Sequence, residues 1–396
     1  MRLAIISTHP IQYYSPIFQL LGRSSRVHAR VFYTWSQTAA AAPVDPWFGK
    51  AITWDIPLLE GYEYEFVPNV ARKPGTGHFW GLRNPGLIRA VESWGAEAVL
   101  VFGWNCASHL QAMRHFKGRI PVFFRGDSTL LGRSPGLRTV TRRVALTWIY
   151  RHIDVAIAVG SNNEDYFRWS GVPDDRIAFA PHAVDTRRFA DAEAGHAERA
   201  MQWRRELDIG DGARTILFAG KLYAIKEPVM LLEAFTACSS PGAHLLFVGN
   251  GSLEAELRRR ASGRNDVHFL PFQNQQAMPS VYRLGDVFVL PSRSETWGLA
   301  LNEAMASGCV SIASDKVGGA RDLIVPGENG WVFRAGDRAD LERVLTRALK
   351  LDQRELQTMC AAAREHGAGW SIEAAAAGIE LAVLGFRGRQ AGPAYG

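Results

Sequence analysis

Short apolar runs recur along this chain, and each is followed by a longer stretch whose apolar positions repeat at helical spacing. In the first half, Leu3–Ser7, Val27–Tyr33, Ala98–Phe102, Pro121–Arg125, Val155–Val159 and Ile177–Pro181 read as strands. Several are continuous Val, Ile, Ala and Phe runs, the pattern of a parallel strand covered by helices on both faces. Helices are expected near residues 14–22, 85–94, 106–117, 136–152 and 162–169. Residues 35–84 break the alternation with five prolines and the run Tyr62-Glu63-Tyr64-Glu65-Phe66, which predicts an irregular excursion with one added strand. The second half restarts the pattern, with strands at Thr215–Ala219, His244–Val248, Val267–Leu270, Val287–Leu290, Val310–Ala313 and Trp331–Phe333. Helices are expected near 228–238, 253–262, 275–284, 298–307, 319–325 and 338–350, and again after Trp370 to about Leu384, followed by a frayed end. Residues 186–213 are polar and rich in Ala, Glu and Arg, as in a linker with a surface helix.

The expected architecture is therefore α/β, with two doubly wound Rossmann-like domains. Residues 1–185 with a tail at 371–396 form the first, and residues 186–370 the second. With 396 residues, 47% of them hydrophobic, the chain is long enough for two large cores and too apolar for general disorder. The four-residue apolar run of MRLAIIS is shorter than a secretory core segment and reads as a first strand. Cys106, Cys238, Cys309 and Cys360 are widely spaced and form neither a disulfide framework nor a zinc motif, which fits a cytoplasmic setting. The net charge of +6 is unevenly spread. Residues 1–184 carry 20 Lys and Arg against 13 Asp and Glu, so the basic excess lies in the first half.

Two segments carry chemistry. In PSRSETWGLALNEAMASGCVSIAS, residues 291–314, a strand ends at Leu290, a Pro-Ser-Arg-Ser turn follows, and a helix begins near Gly298. A helix N-terminus presents backbone N–H groups and the positive end of a dipole, which suits a diphosphate. Gly298 permits close backbone approach, and Glu295 and Glu303 can accept hydrogen bonds from sugar or ribose hydroxyls. In FAGKLYAIKEP, residues 218–228, a strand runs into Gly220, and Lys221 and Lys226 flank the turn into a helix that Pro228 opens. Two such cations can neutralise a leaving phosphate. A weaker element, Gly249-Asn250-Gly251, marks a tight turn at a strand end and is compatible with ligand contact or with packing alone. Neither a Walker A motif nor G-x-G-x-x-G occurs, which argues against P-loop chemistry and dinucleotide oxidoreduction. No nucleic-acid-binding signature accompanies the basic half, and no D-x-D triplet is present.

In this order and spacing, these segments resemble the retaining glycosyltransferases of the GT-B fold, in particular the family-four, or group 1, nucleotide-sugar enzymes. Leu290-Pro291-Ser292, Gly327-Glu328-Asn329-Gly330 and, more weakly, Ala180-Pro181-His182-Ala183-Val184-Asp185 extend the likeness. It is good over residues 177–350 and architectural before that. The resemblance implies a donor site on the second domain, an acceptor site on the first, catalysis in the cleft between, and a C-terminal helix that crosses back to the first domain. It implies that Glu303 holds the ribose, Lys221 and Lys226 the diphosphate, and Glu295 the donor sugar, with the N–H groups of Gly298 and Leu299 on the phosphate. Phe272 stands where relatives place the nucleobase. A UDP- or GDP-sugar is then a substrate; no cofactor and no metal is expected.

The first half departs from the family's pattern. The loop after its first strand is Ser7-Thr8-His9-Pro10-Ile11-Gln12-Tyr13-Tyr14, without the usual Gly pair, and Phe124-Arg125-Gly126-Asp127-Ser128 has Arg where relatives carry His. His9 can supply an imidazole or be a locally bonded loop histidine; Arg125 can add charge toward phosphate; Asp127 can serve the site or cap a helix. Tyr13, Tyr14, Trp104 and Asn105 sit at strand ends, where aromatic faces stack on an acceptor sugar or pack between domains. Residues 137–151 have basic and apolar-aromatic faces at helical spacing, compatible with a buried helix or with one resting on an anionic membrane. The expected function is transfer of a sugar to a saccharide or lipid-linked saccharide, in cell-surface polysaccharide or glycoconjugate synthesis, peripheral to the inner membrane face. The alternatives are a GT-B epimerase or phosphorylase, or a non-catalytic nucleotide binder.

Overall fold

In the computed structural model, residues 1–35, 44–45, 50–51, 53–134, 136–191 and 195–390 are described. Part of the irregular excursion expected at 35–84 and the end of the expected frayed tail lie outside the described residues. Contacts divide the chain into two compact units, one of Met1–Ala42, Pro57–His182 and Ile372–Gly396, the other of Pro43–Ile56 and Ala183–Ser371.

The first unit has seven strands: β1 (Arg2–Ser7), β2 (His28–Tyr33), β3 (Glu63–Phe66), β4 (Ala98–Phe102), β5 (Val122–Arg125), β6 (Val155–Ala158) and β7 (Ile177–Phe179). All pair in parallel, in the order β3-β2-β1-β4-β5-β6-β7. Helices α1 (Ser15–Gly22), α2 (Leu87–Ser93), α3 (Ala107–Phe116), α4 (Leu137–Tyr150) and α5 (Ser161–Trp169) connect them. Ile6 stands opposite Phe32 and Val101 in register, and these side chains are fully buried with Val99. Burial on both faces of β4 accounts for its unbroken Ala-Val-Leu-Val-Phe sequence. β3 is the strand expected within the excursion, at the Tyr62–Phe66 run.

The second unit repeats the plan. After α6 (Thr186–Ala190) and α7 (His196–Glu206) come β8 (Arg214–Ala219), β9 (Ala243–Val248), β10 (Val267–Leu270), β11 (Val287–Leu290), β12 (Val310–Ser314) and β13 (Gly330–Phe333). Their order is β10-β9-β8-β11-β12-β13, again all parallel. The covering helices are α8 (Pro228–Cys238), α9 (Glu254–Arg260), α10 (Met278–Tyr282), α11 (Leu299–Ala306), α12 (Ala320–Leu323), α13 (Arg338–Leu349) and α14 (Gln353–Ala368). Helix α14 is an element that apolar periodicity does not predict. Its start is nonetheless written as a reciprocal cap: Asp352 accepts from Glu355 N at 2.8 Å and Glu355 accepts from Asp352 N at 2.9 Å. The segment Pro43–Ile56 joins this unit, with Asn274 Nδ2 donating to Thr53 O at 2.7 Å. A two-residue antiparallel ladder, Val44–Asp45 with Lys50–Ala51, precedes that contact.

The chain then returns to the first unit as α15 (Ile372–Gln390), which packs against α1 and β7. Ala375, Ile379 and Val383 are buried there, and Glu380 takes both Arg26, at 2.7 Å, and Ser24. A Cβ on Gly378 would stand 2.7 Å from Phe179 O, so the helix lies directly on β7.

Polar groups lock the C-terminal ends of the first sheet. His109 is fully buried; Nδ1 donates to Gly103 O at 2.8 Å, so Nε2 accepts from Thr34 Oγ1 at 3.0 Å. One neutral imidazole thus ties the ends of β2 and β4. Burial pushes His9, His109 and His182 down from the usual 6.5 to about 4. Folded-state values below the unfolded ones mean that the unfolded chain binds more protons between pH 6.5 and 4. This stability is therefore complete above pH 6.5 and is lost as the pH falls toward 4. In urea titrations, His109→Gln should be less stable than wild type at pH 7, by about 1–3 kcal/mol for the lost bonds. Its further loss between pH 6.5 and 4.5 should be shallower than wild type by up to about 1.4 kcal/mol per pH unit. Equal slopes would show that His109 is not charged on unfolding.

Candidate active site

In the second sheet β8 and β11 are neighbours, and β8 sits where the strand order reverses. Such a switch point sends successive connections to opposite faces and leaves a crevice outside the strand ends, the usual ligand position in open parallel sheets. The two loops that leave this point are residues 220–227 and 291–298, the two segments singled out from the sequence. Their tips meet: Lys226 Nζ pairs with the Glu295 carboxylate, and both side chains are about a fifth exposed. A second ion pair, Arg293 with Glu227, and a backbone bond from Arg293 N to Ile225 O at 2.8 Å hold the loops together.

Glu295 is fixed from behind by its main chain. Its N–H donates to Lys316 O and its carbonyl accepts from Gly318 N, both at 3.1 Å. Gly298 has φ +98°, and a Cβ there would come within 2.8 Å of Val317 Cγ1 and 2.9 Å of Leu290 Cδ2, so no other residue fits. It is the N-cap of α11, whose first turn has no side-chain cap and no acidic residue. The dipole end at Gly298 and Leu299 is therefore not neutralised by a carboxylate of its own turn. Trp297 anchors this corner: it is buried, donates Nε1–H to Asn302 Oδ1 at 2.8 Å and packs at a tilt against Trp370, ring centroids 5.1 Å apart. A large apolar side chain between two loop residues is a weak sequence signal, and Trp297 was not singled out.

Gly249, Asn250 and Gly251 form the brace of the Gly220–Leu222 backbone. A Cβ on Gly249 would lie 2.1 Å from Gly220 O, and one on Gly251 2.4 Å from Leu222 O. Leu222 N donates to Asn250 O at 3.0 Å, and Asn250 Oδ1 accepts from Phe272 N at 2.9 Å. Packing of three loops accounts for both glycines. Lys221 lies on the braced segment, half-buried, with its carbonyl accepting from Tyr223 N at 3.0 Å.

Glu303 lies on α11 and is 2% exposed. The buried hydroxyl of Tyr282, on α10, donates to its Oε2 at 2.7 Å. Tyr282 is a further residue that sequence reasoning missed, because it reads as an ordinary core aromatic. One carboxylate oxygen of Glu303 is thus oriented by the protein.

In the first unit, β1 and β4 form the corresponding switch point, and His9, Tyr13, Tyr14, Trp104 and Asn105 all follow these two strands. His9 Nδ1 lies 2.9 Å from Thr8 Oγ1 and its ring edges onto Trp35, so it is a locally bonded, neutral imidazole. Tyr14 packs on Phe102 at 4.9 Å and parallel to His182 at 6.2 Å, and burial raises its hydroxyl pKa. Trp104 Nε1 reaches Tyr150 Oη at 3.3 Å and packs on this unit's own core. Asn105 is exposed and Tyr13 half-buried.

The expectation that Arg125 directs charge toward a phosphate is not met. Arg125 is 2% exposed, and its guanidinium donates to Ala180 O and Pro181 O at 2.7 Å each. Desolvation holds it below the usual arginine range, at about 10, so it remains a buried cation that ties β5 to the segment after β7. Asp127 is not a helix cap, since α4 begins ten residues later with Gly136 at its N-cap. Its charge instead acts on His182 and Tyr14. His182, read from the sequence only as part of a motif, completes this polar group. Among the described residues no three His, Cys, Asp or Glu side chains are grouped to hold a metal ion.

Residues 200–366 match the family model for glycosyl transferases group 1. The chain is 31% identical over 242 residues to D-inositol 3-phosphate glycosyltransferase of Nocardia farcinica, covering 57% of this chain and 52% of that protein. It is also 31% identical over 170 residues to sulfoquinovosyl transferase SQD2 of Arabidopsis thaliana, covering 42% of this chain and 32% of the relative. The chain spans about half the length of the curated relatives it matches first. Among solved structures, Anabaena Alr3699/HepE in complex with UDP and glucose superposes with a TM-score of 0.69 at 16% identity, covering 99% of this chain and all of that one. WaaG, a glycosyltransferase involved in lipopolysaccharide biosynthesis, gives 0.66 at 16%, covering 97% and 100%. Residues 200–366 thus match the glycosyl transferases group 1 family, within a chain whose two parallel-sheet domains have the GT-B fold.

Proposed function

We propose that this protein moves a sugar from a nucleotide-sugar donor to a saccharide or lipid-linked saccharide, with retention of anomeric configuration, in cell-surface polysaccharide or glycoconjugate synthesis. The observation that carries the reading is the Lys226–Glu295 ion pair beside the uncapped start of α11, at the switch point of the second sheet. A nucleotide sugar presents a diphosphate between a sugar and a ribose, and the diphosphate gathers negative charge as it leaves. Lys221, Lys226 and the N–H groups of Gly298 and Leu299 are proposed to bind it, which is the main electrostatic demand of the reaction. Glu303, with one oxygen held by Tyr282, takes the ribose hydroxyls; Glu295 takes hydroxyls of the donor sugar once Lys226 turns to the diphosphate. Phe272 lies beside the base. His9 and Asp127 belong to the acceptor-side unit with Tyr13, Tyr14, Trp104 and Asn105. The similar proteins support this reading by their names: one is captured with UDP-glucose, and others act on D-inositol 3-phosphate or transfer sulfoquinovosyl groups.

Incubation with UDP-, GDP- and ADP-sugars should show slow nucleotide release, and one nucleotide should raise the melting temperature; the absence of both effects would overturn the enzyme reading. Lys226→Ala should weaken nucleotide binding roughly 10–100-fold, the loss expected for a charge-assisted contact. Glu303→Ala should also weaken it, whereas Glu295→Ala should bind UDP at least as well as wild type, because Lys226 loses its competitor, and should lose turnover. Equal loss of binding in both glutamate variants would show that the roles are misassigned. With lysines and a helix end supplying the positive charge, activity should persist in a chelator; its abolition would contradict metal independence.

We further propose that α4 rests on an anionic membrane surface at the cytoplasmic face. Leu137, Val140, Val144 and Trp148 line one face of it at steps of three and four residues and are 79%, 59%, 67% and 41% exposed. Leu146, Ile149 and Tyr150 alone are buried, and Arg138, Arg142 and Arg143 flank the apolar stripe. An amphipathic helix of this kind inserts its apolar face among acyl chains while its arginines meet lipid phosphates. No described helix is long and apolar enough to cross a membrane. The protein should co-sediment with phosphatidylglycerol vesicles at low salt, and Val140→Glu with Val144→Glu should abolish this; absence of binding by wild type removes the proposal.

A further inference from the structure

Residues 68–84, between β3 and α2, hold side chains that the donor site and α4 leave unused. From Phe66 to Val91 the chain carries Arg72, Lys73, Arg83 and Arg89 and no Asp or Glu. Arg72, Lys73, His78, Trp80 and Arg83 line one open concavity of about 460 Å³. Among the described residues, no carboxylate pairs with Arg72, Lys73 or Arg83. Elsewhere in the unit, Arg26 pairs with Glu380, Arg30 with Glu63, and Arg168 with three carboxylates. Like charges gathered without counter-charge repel one another, an arrangement that an anionic ligand relieves. Trp80 is 64% exposed in the same concavity, an expanse of indole surface that water covers poorly.

The loop is built rather than loose. Asn69 Nδ2 donates to Gly81 O at 2.9 Å, and its Oδ1 accepts from Ala71 N and Arg83 N at 3.0 and 2.8 Å. At the base, Asn84 is 5% exposed and its Nδ2 donates to Thr34 O and Val67 O at 2.9 and 2.8 Å, which fixes the loop to the ends of β2 and β3. A Cβ on Gly81 would lie 2.0 Å from Gly75 O, so the two limbs cross in direct backbone contact. The cations and the indole are therefore held on a stiff frame at the carboxyl edge of the first sheet, where ligands of such folds bind.

We infer that this loop is a binding site for an anionic saccharide, a sugar bearing a phosphate or carboxylate, and that this sugar belongs to the acceptor. Arg72, Lys73 and Arg83 pair with the anion, and Trp80 covers a C–H face of the ring. The volume suits a mono- or disaccharide. The inference rests on the glycosyl-transfer reading and names the acceptor's chemical class; the anionic sugar is either free or the headgroup of a lipid.

The test is calorimetry and tryptophan fluorescence on the full chain with glucose 6-phosphate, glucuronate, glucose and inorganic phosphate, and sedimentation with phosphatidylinositol or phosphatidylglycerol vesicles. A charged sugar should bind at least tenfold more tightly than glucose or inorganic phosphate. Arg72→Ala with Arg83→Ala should weaken it tenfold or more, and Trp80→Ala should weaken the charged sugar without altering phosphate. The variant Arg259→Ala, on the exposed side of α9 in the second unit, should behave as wild type, and unchanged melting temperatures show that the variants fold. Tighter sedimentation on phosphatidylinositol than on phosphatidylglycerol, lost in the Arg72/Arg83 variant, assigns the sugar to a lipid headgroup; binding of the soluble probes alone assigns a free acceptor. The inference is overturned if phosphate binds as tightly as the charged sugars, if the variants bind like wild type, or if no probe binds. UDP binding on the same samples separates the two readings. Intact UDP binding without sugar binding removes only this site, and sugar binding without UDP binding removes the glycosyl-transfer reading with the acceptor assignment.

Discussion

Parallel strands covered on both faces have only their ends to offer a ligand, and both sheets here are of that kind. The sides of β4 or β11 are sealed by helices, so the polar groups with chemistry to perform stand on loops at the carboxyl edge or on the helices that these loops lead into. Where the strand order reverses, the connections diverge and the edge opens. In the second unit this places loops 220–227 and 291–298 side by side and brings Lys226 to Glu295. The rest of that edge serves to hold the meeting still: the Gly249–Gly251 brace under Gly220, the main-chain bonds of Glu295 to Lys316 and Gly318, and Trp297 wedged against Trp370.

Much of this was legible before any coordinates. Twelve of the thirteen strands of the two sheets were readable as apolar runs to within about two residues, because strands buried on both faces leave no polar positions to blur the signal. The thirteenth, β3, is foreshadowed by the alternation of Tyr62–Phe66 within the excursion. Glu295, Gly298 and Lys226 were readable because each stands at a strand-to-helix turn, where a Gly or a charge breaks the apolar pattern. What escaped was of a different nature. Tyr282 beside Glu303 and His109 across the strand ends are contacts between residues distant in sequence, and no local pattern announces them. Helix α14 escaped because its apolar face is thin. Arg125 was misread for a related reason: a lone arginine at a strand end looks like a ligand group, and only the carbonyls of Ala180 and Pro181 reveal it as a strut.

The uneven charge noted from the sequence also acquires a location. Arg26, Arg30, Lys117 and Arg168 of the first unit pair with carboxylates, and Arg125 is spent internally. Among the described cations with no carboxylate pair, groups stand on the flanks of α4 and in the loop at 68–84. A modest net charge therefore conceals two concentrated fields, each with exposed apolar or aromatic surface beside it. Cations next to wet aromatic faces suit amphiphilic or glycan partners better than they suit a bare polyanion.

Helix α15 bears on how the molecule is made. It closes the first unit, against α1 and β7, yet it is translated after all of the second unit. The second unit's strands and helices are complete by Ser371, so it can assume its fold while the first unit still lacks a wall, with the faces of α1 and β7 uncovered. The usual order of synthesis, in which the leading domain matures first, is thus reversed for this chain. Until α15 is made, a nascent first unit leaves the apolar faces of α1 and β7 without the wall that covers them in the finished fold.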